Sequence, residues 1–249
     1  MENIIFNEDC FDRFKHIPDR SIQLVCVDLP YAQTALKWDC ALDLGKMWIE
    51  LKRIGKENCQ YVFFCNTKFG YDLITSNRNW FHYDIVWEKT NAVGFLSAKY
   101  QPLKAHEMIY IFRNNKKPKG LEWIYNPQMT PGKPYRKVKT GRKNPCVYGV
   151  DTGFHIENIT GDRHPRSVVE FFKPKYRLHA TEKPVALCEW LIKTYSNEGD
   201  VVLDFTMGSG STIIGCINTK RKYIGIEKDE KIFLSAKKRI EDQDMMQKK

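Results

Sequence analysis

The sequence has little that would place the protein in a membrane or outside the cell. No apolar run in its 249 residues approaches the roughly 18 to 20 residues that a membrane-spanning helix requires. The first residues, Met-Glu-Asn-Ile-Ile-Phe, lack the basic segment and apolar stretch of a secretory signal, so we expect none. The eight cysteines form no Cys-x-x-Cys pair, and most lie in apolar segments, as free core thiols do. We therefore predict no metal site, no membrane association and a cytoplasmic location.

The chain also lacks an even balance of charge. Lysine and arginine number 40 against 30 aspartate and glutamate residues, which gives a net charge of +10. Such an excess favours a polyanionic partner, although many basic proteins bind no nucleic acid. The apolar fraction of 42% is enough to bury the core of one large domain, with or without an insertion.

Hydrophobic periodicity predicts strands that alternate with helices. Apolar residues at helical spacing follow Pro184, and the same spacing recurs from Ile232 to Ile240. This alternation favours an α/β fold in which helices cover both faces of a parallel sheet. The predicted buried strands are short apolar runs at residues 22–27, 61–65, 83–87, 108–112, 201–205 and 223–226.

One stretch breaks this alternation. Residues 113–143 carry ten Lys or Arg side chains against a single acid, Glu122, together with several prolines and interleaved aromatic residues. Because such a composition does not continue a covered sheet, we predict an insertion over residues 97–170 in a core made of residues 1–96 and 171–249. A run of charge is by default a solvated loop, but the interleaved aromatic residues favour contact with nucleic acid.

A glycine turn follows the predicted strand at residues 201–205. Gly208 and Gly210 let the backbone approach a ligand, and Glu227, at the end of the next strand, is positioned to accept hydrogen bonds from a ribose diol. The third glycine of a dinucleotide site and the Gly-Lys-Ser/Thr ending of a phosphate loop are missing. The Asp204 carboxylate opposes a pyrophosphate but suits the ammonium and sulfonium of S-adenosylmethionine. The alternative interpretation is an ordinary strand–turn–helix corner.

A second motif, Asp28-Leu29-Pro30-Tyr31, follows the predicted strand at residues 22–27. Pro30 stiffens the loop and holds Leu29 in an extended conformation. Asp28 and a loop carbonyl would accept both hydrogens of an exocyclic amino group, while Tyr31 stacks on the base. An amine held in this way becomes pyramidal, and its lone pair can attack a sulfonium methyl group in line. Alone the motif is equally a strand-ending turn, but both loops follow strands at their carboxyl ends, where such sheets bind ligands.

The order of these motifs resembles that of the permuted, or beta-class, DNA amino-methyltransferases of bacteria and their phages. That family places an Asp-Pro-Pro-Tyr-type motif first, then a target-recognition region, a His-Pro-Thr-Gln-Lys-Pro-type motif and the cofactor glycine loop. Here the same order is formed by residues 28–31, the basic insertion, His-Ala-Thr-Glu-Lys-Pro at 179–184 and the turn at 204–212. Further stretches typical of the family lie at residues 7–10, 86–89, 106–109 and 126–129.

The resemblance implies a Rossmann-like methyltransferase sheet, S-adenosylmethionine as cofactor and DNA as partner. It favours adenine as the flipped target base, because the cytosine enzymes usually begin the catalytic motif with serine. The expected catalytic residues are Asp28, Leu29, Pro30 and Tyr31. The expected cofactor-binding residues are Asp9, Cys10, Thr181, Lys183, Asp204, Phe205, Gly208, Gly210, Ser211, Thr212 and Glu227. The expected DNA-binding residues are Lys133, Arg136, Lys137, Lys139, Arg142 and Lys143.

Four positions depart from the family pattern. Leu29 stands in place of a proline, but its backbone carbonyl is unchanged, so we still expect activity. Glu182 adds a charge beside the expected cofactor site. Ala180 and Ser211 also replace the usual residues.

Two further features have competing interpretations. Lys183 would contact the cofactor's carboxylate, or it would only cap the helix that Pro184 begins. His106-Glu107 is not a zinc-protease motif, because Tyr110 stands where the second histidine would be, so we expect a structural or unassigned role for this pair.

Three other functions remain open. The target base would be cytosine, the substrate would be RNA, or the chain would be an inactive nucleic-acid-binding paralogue. RNA amino-methyltransferases usually place the glycine loop before the catalytic motif, whereas Gly208 here follows Asp28. Intact Asp28, Tyr31, Asp204 and Glu227 argue against an inactive protein. The sequence leaves open the recognition site, a companion restriction enzyme and homodimer formation.

Overall fold

The computed structural model describes residues 2–30, 42–116, 119–140, 145–146, 149–150, 153–172 and 182–247. The chain divides into two compact units. The first comprises Met1–Asn126 and Ser167–Lys249, and the second comprises Pro127–Arg166. Within the described residues, no helix is both long enough and apolar enough to cross a membrane.

The first unit is built on one large sheet with helices packed against it. Its strands are β1 (Ile4–Asn7), β2 (Ile22–Asp28), β3 (Gly55–Cys65), β4 (Phe81–Val93), β5 (Lys104–Arg113), β10 (Val168–Glu170), β11 (Val201–Asp204) and β12 (Lys222–Glu227). Its helices are α1 (Cys10–Phe14), α2 (Leu44–Ile54), α3 (Thr67–Ser76), α4 (Val185–Tyr195), α5 (Ser211–Asn218) and α6 (Glu230–Gln247). A 3-10 turn, Phe95–Ser97, follows β4.

The strand order in this sheet is β1-β12-β11-β2-β3-β5-β4-β10. All six runs predicted as buried strands correspond to strands of this sheet, which confirms those predictions and the α/β class. The expectation of a uniformly parallel sheet is wrong at β5, which runs antiparallel to both β3 and β4. The reason is the short connection 94–103 between β4 and β5, since a parallel pair needs a crossover of about a dozen residues or more.

Helices cover both faces of the sheet, as the sequence predicted. Successive side chains of a strand point to opposite faces, so Val25 and Val27 pack with α1, α2 and α3, whereas Leu24 and Cys26 pack with α4, α5 and α6. The helices form where apolar residues share one side. In α2 these are Met47, Trp48, Leu51 and Ile54, all of them buried.

The second unit contains two antiparallel hairpins. One pairs β6 (Tyr135–Thr140) with β9 (Gly153–Asn158), and the other pairs β7 (Pro145–Cys146) with β8 (Gly149–Val150). The bridge between Thr130 and Arg163 joins the two ends of the unit by backbone hydrogen bonds of 3.0 and 2.8 Å.

This unit is narrower than the insertion expected over residues 97–170. Within that range, β5 is a strand of the main sheet, and β10 pairs with β4 at its edge. The physical reason is burial, because Ile109 and Ile111 of β5 are fully enclosed between the neighbouring strands and the helices of one face. The segment that leaves the core is therefore Pro127–Arg166.

Candidate active site

The site lies at one edge of the sheet, where three neighbouring parallel strands end. Asp28 ends β2, Asp204 ends β11 and Glu227 ends β12. Because the carboxyl ends of parallel strands meet at the same edge, these three carboxylates are brought together from distant parts of the chain. The arrangement agrees with the edge that the sequence predicted for both loops.

The glycine turn after β11 is held against the end of β12. The Met207 N–H donates to the Ile226 carbonyl at 2.9 Å, and the Gly208 N–H donates to the Glu227 carboxylate at 3.0 Å. Gly208 has a φ of +50°, and no described atom lies within 4 Å of the position that a Cβ would take there. Gly208 therefore faces open space, where a ligand can approach the backbone.

Gly210 has a different role from Gly208. Its φ is +79°, and it immediately precedes α5. A Cβ built on it would lie 3.1 Å from Ile240 of α6, so this glycine lets α6 pack closely over the start of α5. Ser211 and Thr212, the next predicted cofactor residues, form the first turn of α5 and are both buried.

Glu227 is fixed by two backbone N–H groups. One carboxylate oxygen accepts from Gly208, and the other accepts from Asp229 at 2.8 Å. Burial raises the pKa of this carboxyl group above its usual value, partly offset by the two backbone hydrogen bonds. Each carboxylate oxygen has two acceptor positions, so Glu227 retains the capacity to accept further hydrogen bonds from a ligand.

Asp204 lies deeper than its neighbours in the site and is 3% exposed. It accepts a hydrogen bond from the Thr206 N–H at 3.2 Å and a side-chain hydrogen bond from Thr212. Burial raises its pKa to about 7, with a smaller contribution from the nearby Asp28 and Glu227 charges. The next residue, Phe205, is buried and packs edge-on against Phe14 of α1. The structure therefore places Phe205 in the core beneath the turn.

Asp9 and Cys10 lie at the start of α1, beside the end of β12. The Asp9 carboxylate caps α1 by accepting the Phe11 N–H at 2.9 Å, and it lies 3.0 Å from the Lys228 ammonium. Cys10 is buried, and burial raises the pKa of its thiol to about 12. Asn7 donates its side-chain amide to the Glu227 carbonyl at 2.9 Å, which ties β1 to β12.

The segment that begins at Asp28, predicted to be the catalytic motif, is joined directly to the glycine turn. The Thr206 hydroxyl donates to the Asp28 backbone carbonyl at 3.0 Å. Leu29 is 2% exposed and buries its side chain in the core, which leaves the backbone as the part of this residue that can meet a substrate. Pro30 is half-buried, and Tyr31 lies outside the described residues.

An ionic cluster surrounds Asp28, and sequence reasoning missed half of it. The Lys183 ammonium pairs with the Asp28 carboxylate and lies 3.3 Å from Glu107 Oε2. Lys89 pairs with the other oxygen of Glu107. Burial alone would raise the pKa of Glu107, but Lys183 and Lys89 lower it to about 2. Glu107 and Lys89 therefore belong to the candidate site, although from the sequence we expected a structural or unassigned role for Glu107.

The antiparallel direction of β5 is the feature from which these two residues could have been predicted. Because β5 runs opposite to its neighbours, it begins at the edge where β2 and β4 end. Its early residue Glu107 pairs in register with Trp87, two residues before Lys89.

Lys183 and Glu182 both take part in ion pairs. Lys183 precedes α4 and directs its ammonium to the two carboxylates of the cluster. Glu182 accepts a hydrogen bond from Arg239 of α6, which also donates to the Ser209 carbonyl at 3.0 Å. The charge that Glu182 adds is therefore paired, and the pair braces the glycine turn. Thr181 lies outside the described residues.

The predicted DNA-binding residues belong to the second unit. Arg136 of β6 donates to His155 of β9 at 2.8 Å, and the Lys137 ammonium lies 5.7 Å from the Tyr135 ring centre. The backbone carbonyl of Lys133 accepts from Arg163 at 2.6 Å. Lys139 lies in β6, whereas Arg142 and Lys143 lie outside the described residues.

Sequence relatives of this chain include proteins named type II methyltransferases. A family model for N6 and N4 methyltransferases, described as DNA methylase, matches residues 22–238. The type II methyltransferase M1.MboII of Moraxella bovis is 28% identical over 90% of this chain and 91% of that protein. The type II methyltransferase M.HpaI of Haemophilus parainfluenzae is 26% identical over 98% of this chain and 76% of that protein.

Solved structures share the fold at lower sequence identity. The complex of M1.HpyAVI with SAM gives a TM-score of 0.62 at 21% identity and covers 94% of this chain and 97% of that one. The PvuII DNA methyltransferase, described as cytosine-N4-specific, gives 0.65 at 13% identity and covers 98% and 91%. These similarities concern the fold alone. Because the DNA methylase model spans most of the sequence, the chain belongs to the family of N6 and N4 DNA methylases.

Proposed function

We propose that this DNA amino-methyltransferase methylates the exocyclic amino group of adenine after flipping the base out of the duplex. S-adenosylmethionine is the methyl donor. The observation that carries the proposal is the 3.0 Å hydrogen bond from Thr206 of the glycine turn to the Asp28 carbonyl of the catalytic motif. This hydrogen bond joins the loop that we propose binds the cofactor to the loop that we propose binds the amino group.

The residues present fit S-adenosylmethionine. Gly208 offers open backbone at the turn, and Glu227 offers a fixed carboxylate for the ribose. Asp9 and Cys10 lie beside that strand end, and the resemblance implies that they bind the cofactor. Three clustered carboxylates oppose a phosphate ligand and favour one that carries positive charge. The cofactor supplies a methyl group made electrophilic by its sulfonium.

The chain's own groups prepare the amine to react. The Asp28 carboxylate and the Leu29 carbonyl accept the two amino hydrogens, and this holds the nitrogen lone pair toward the methyl group. Attack forms the nitrogen–carbon bond, breaks the carbon–sulfur bond and moves the positive charge to nitrogen. Asp28 stabilises that charge until one amino proton leaves for solvent.

Adenine and cytosine are the two candidate targets in this family. The comparisons include a structure described as cytosine-N4-specific, so the family alone does not choose between them. Asp28 as the first residue of the catalytic motif supports adenine. The motif order supports the permuted, beta-class arrangement, and the relatives named type II methyltransferases support a restriction-modification role.

We infer that target recognition lies in the basic insertion and that its main part is the second unit. The hairpin of β6 and β9 carries Arg136 and Lys137, which are exposed and can reach phosphates. Lys133, just before this hairpin, is also exposed. Neighbouring polar and aromatic side chains would read base edges.

The test is nucleoside mass spectrometry of DNA methylated by the purified protein. We expect N6-methyladenine, and N4-methylcytosine as the main product would overturn the adenine assignment. Asp28→Ala is the matched inactive control, because it should retain cofactor binding while losing methyl transfer. A modification-sensitive sequencing run on the same DNA identifies the recognition site.

A further inference from the structure

Four charged side chains form a chain of contacts at the catalytic edge. Lys183 pairs with Asp28 and lies 3.3 Å from Glu107, and Lys89 pairs with the far oxygen of Glu107. Among the described residues, the cluster holds two cations and two anions. It is therefore neutral when all four groups are ionised.

Lys183 competes with the substrate for Asp28. The target amino group is a neutral donor, whereas the Lys183 ammonium is a charged donor already paired with the same carboxylate. The Lys183 side chain is only 10% exposed, so water cannot readily replace Asp28 as its partner. Separating a buried ammonium from its carboxylate is strongly unfavourable unless another anion receives it.

We propose that Glu107 is a positioning residue that receives Lys183 when the target amino group takes its place on Asp28. The inference rests on the proposed role of Asp28 as the acceptor for the amino group. On product release Lys183 returns to Asp28. Glu107 thus lowers the energy needed for the exchange at Asp28 without touching the substrate.

The geometry of Glu107 suits this role. In the described part of the chain, its Oε2 is a buried acceptor without a hydrogen bond, and it faces Lys183 at 3.3 Å. Its other oxygen is anchored by Lys89. The two lysines together lower the pKa of Glu107 to about 2 despite burial, so the anion is present at every working pH. A small movement of the flexible Lys183 side chain completes the hydrogen bond.

The first test compares Glu107→Gln with Glu88→Gln at saturating cofactor and DNA. Gln keeps the shape of Glu107 but removes the charge that receives Lys183, so kcat should fall on the order of 10- to 100-fold, as for a lost charged hydrogen bond. Glu88 is an exposed neighbour on β4, and its variant should keep wild-type kcat. A wild-type kcat for Glu107→Gln would overturn the proposal.

Double variants separate positioning from simple charge balance. If Glu107 acts through Lys183, adding Glu107→Gln to Lys183→Met changes kcat no further, whereas additive losses would refute the coupling. If Glu107 only neutralised Lys89, Lys89→Met/Glu107→Gln would recover wild-type kcat, and this recovery would also refute it. We expect that double variant to remain slow.

Two further variants make the outcome of the test unambiguous. Glu107→Asp keeps the charge but withdraws it by one methylene, so it should slow the reaction and show the same dependence on Lys183 if the Gln variant does not fold. Asp28→Ala, which removes the acceptor altogether, tests the foundation separately. An active Asp28→Ala enzyme removes the proposed function, whereas an inactive one beside an unaffected Glu107→Gln removes only the exchange.

Discussion

Asp204→Asn should stabilise the cofactor-free protein and weaken cofactor binding at the same time. The substitution keeps an oxygen that can accept from the Thr206 N–H and the Thr212 hydroxyl, but it removes the charge. The folded-state pKa of Asp204 is raised from 3.8 to about 7, mainly by burial. The protonated carboxyl group therefore makes its full contribution to the free energy of unfolding below pH 3.8, and this contribution is lost as the pH rises through 7.

The size of this effect follows from the pKa difference. One pKa unit corresponds to about 1.4 kcal/mol, so a shift from 3.8 to about 7 gives roughly 4 kcal/mol as an upper limit. Above pH 7 the wild-type protein carries this full penalty, because the buried carboxylate is ionised. At pH 5 the carboxyl group is still protonated in the folded state, so the penalty falls to less than half of that limit.

The measurement is urea unfolding of both proteins, without cofactor, at pH 5.5, 7 and 8.5. The advantage of Asp204→Asn in free energy of unfolding should grow with pH and level off above 8. Calorimetry at pH 8 should show weaker binding of S-adenosylmethionine, since its positive charge loses a buried partner. A stability difference that does not change with pH would refute the assignment of the raised pKa to Asp204.

Three further variants test other parts of the site. Glu227→Ala should weaken S-adenosylmethionine binding by about 1.5 to 3 kcal/mol, and unchanged affinity in calorimetry would contradict its contact with the ribose. Asp28→Ala should leave cofactor affinity nearly intact and abolish methyl transfer in a radiolabel assay, so full activity would refute the mechanism. Neutralising Lys133, Arg136 and Lys137 together should reduce the dependence of log DNA affinity on log salt by about one unit for each phosphate that the variant no longer neutralises. If the triple variant keeps the parent slope and activity, these residues form only a solvated surface.

The strands of the fold were predictable because they are buried on both faces. Runs such as residues 201–205 are apolar almost throughout, which is typical of a strand enclosed by helices on both sides. The missed elements have weaker signals. Strand β1 has four residues and is half-exposed, and α1 has five residues, so neither is long enough for its hydrophobic period to stand out in the sequence. Their place is decided by tertiary pairing, with β1 added beside β12.

Residues of the candidate site could be predicted where they lie at the ends of strands that the sequence predicts. The glycine turn and the acids Asp204 and Glu227 follow strands directly, so their spacing indicates a shared edge. Glu107 could not be assigned in that way, because its role depends on a strand running in the opposite direction. The partner it contacts, Lys183, is 76 positions away in the chain, and no local pattern connects the two.

The hairpin of β4 and β5 also places a surface loop at the rim of the candidate site. Crossovers that join parallel strands return the chain at the far edge of the sheet, so most of their length lies away from the reacting groups. The chain leaves β4 and enters β5 at the same edge of the sheet as the candidate site, so the whole turn 94–103 lies at that edge. Its side chains Phe95, Leu96 and Tyr100 are exposed to solvent. Residues can be gained or lost there without shifting the register of either strand. The length and sequence of this loop can therefore change during evolution while the sheet and its carboxylates keep their positions.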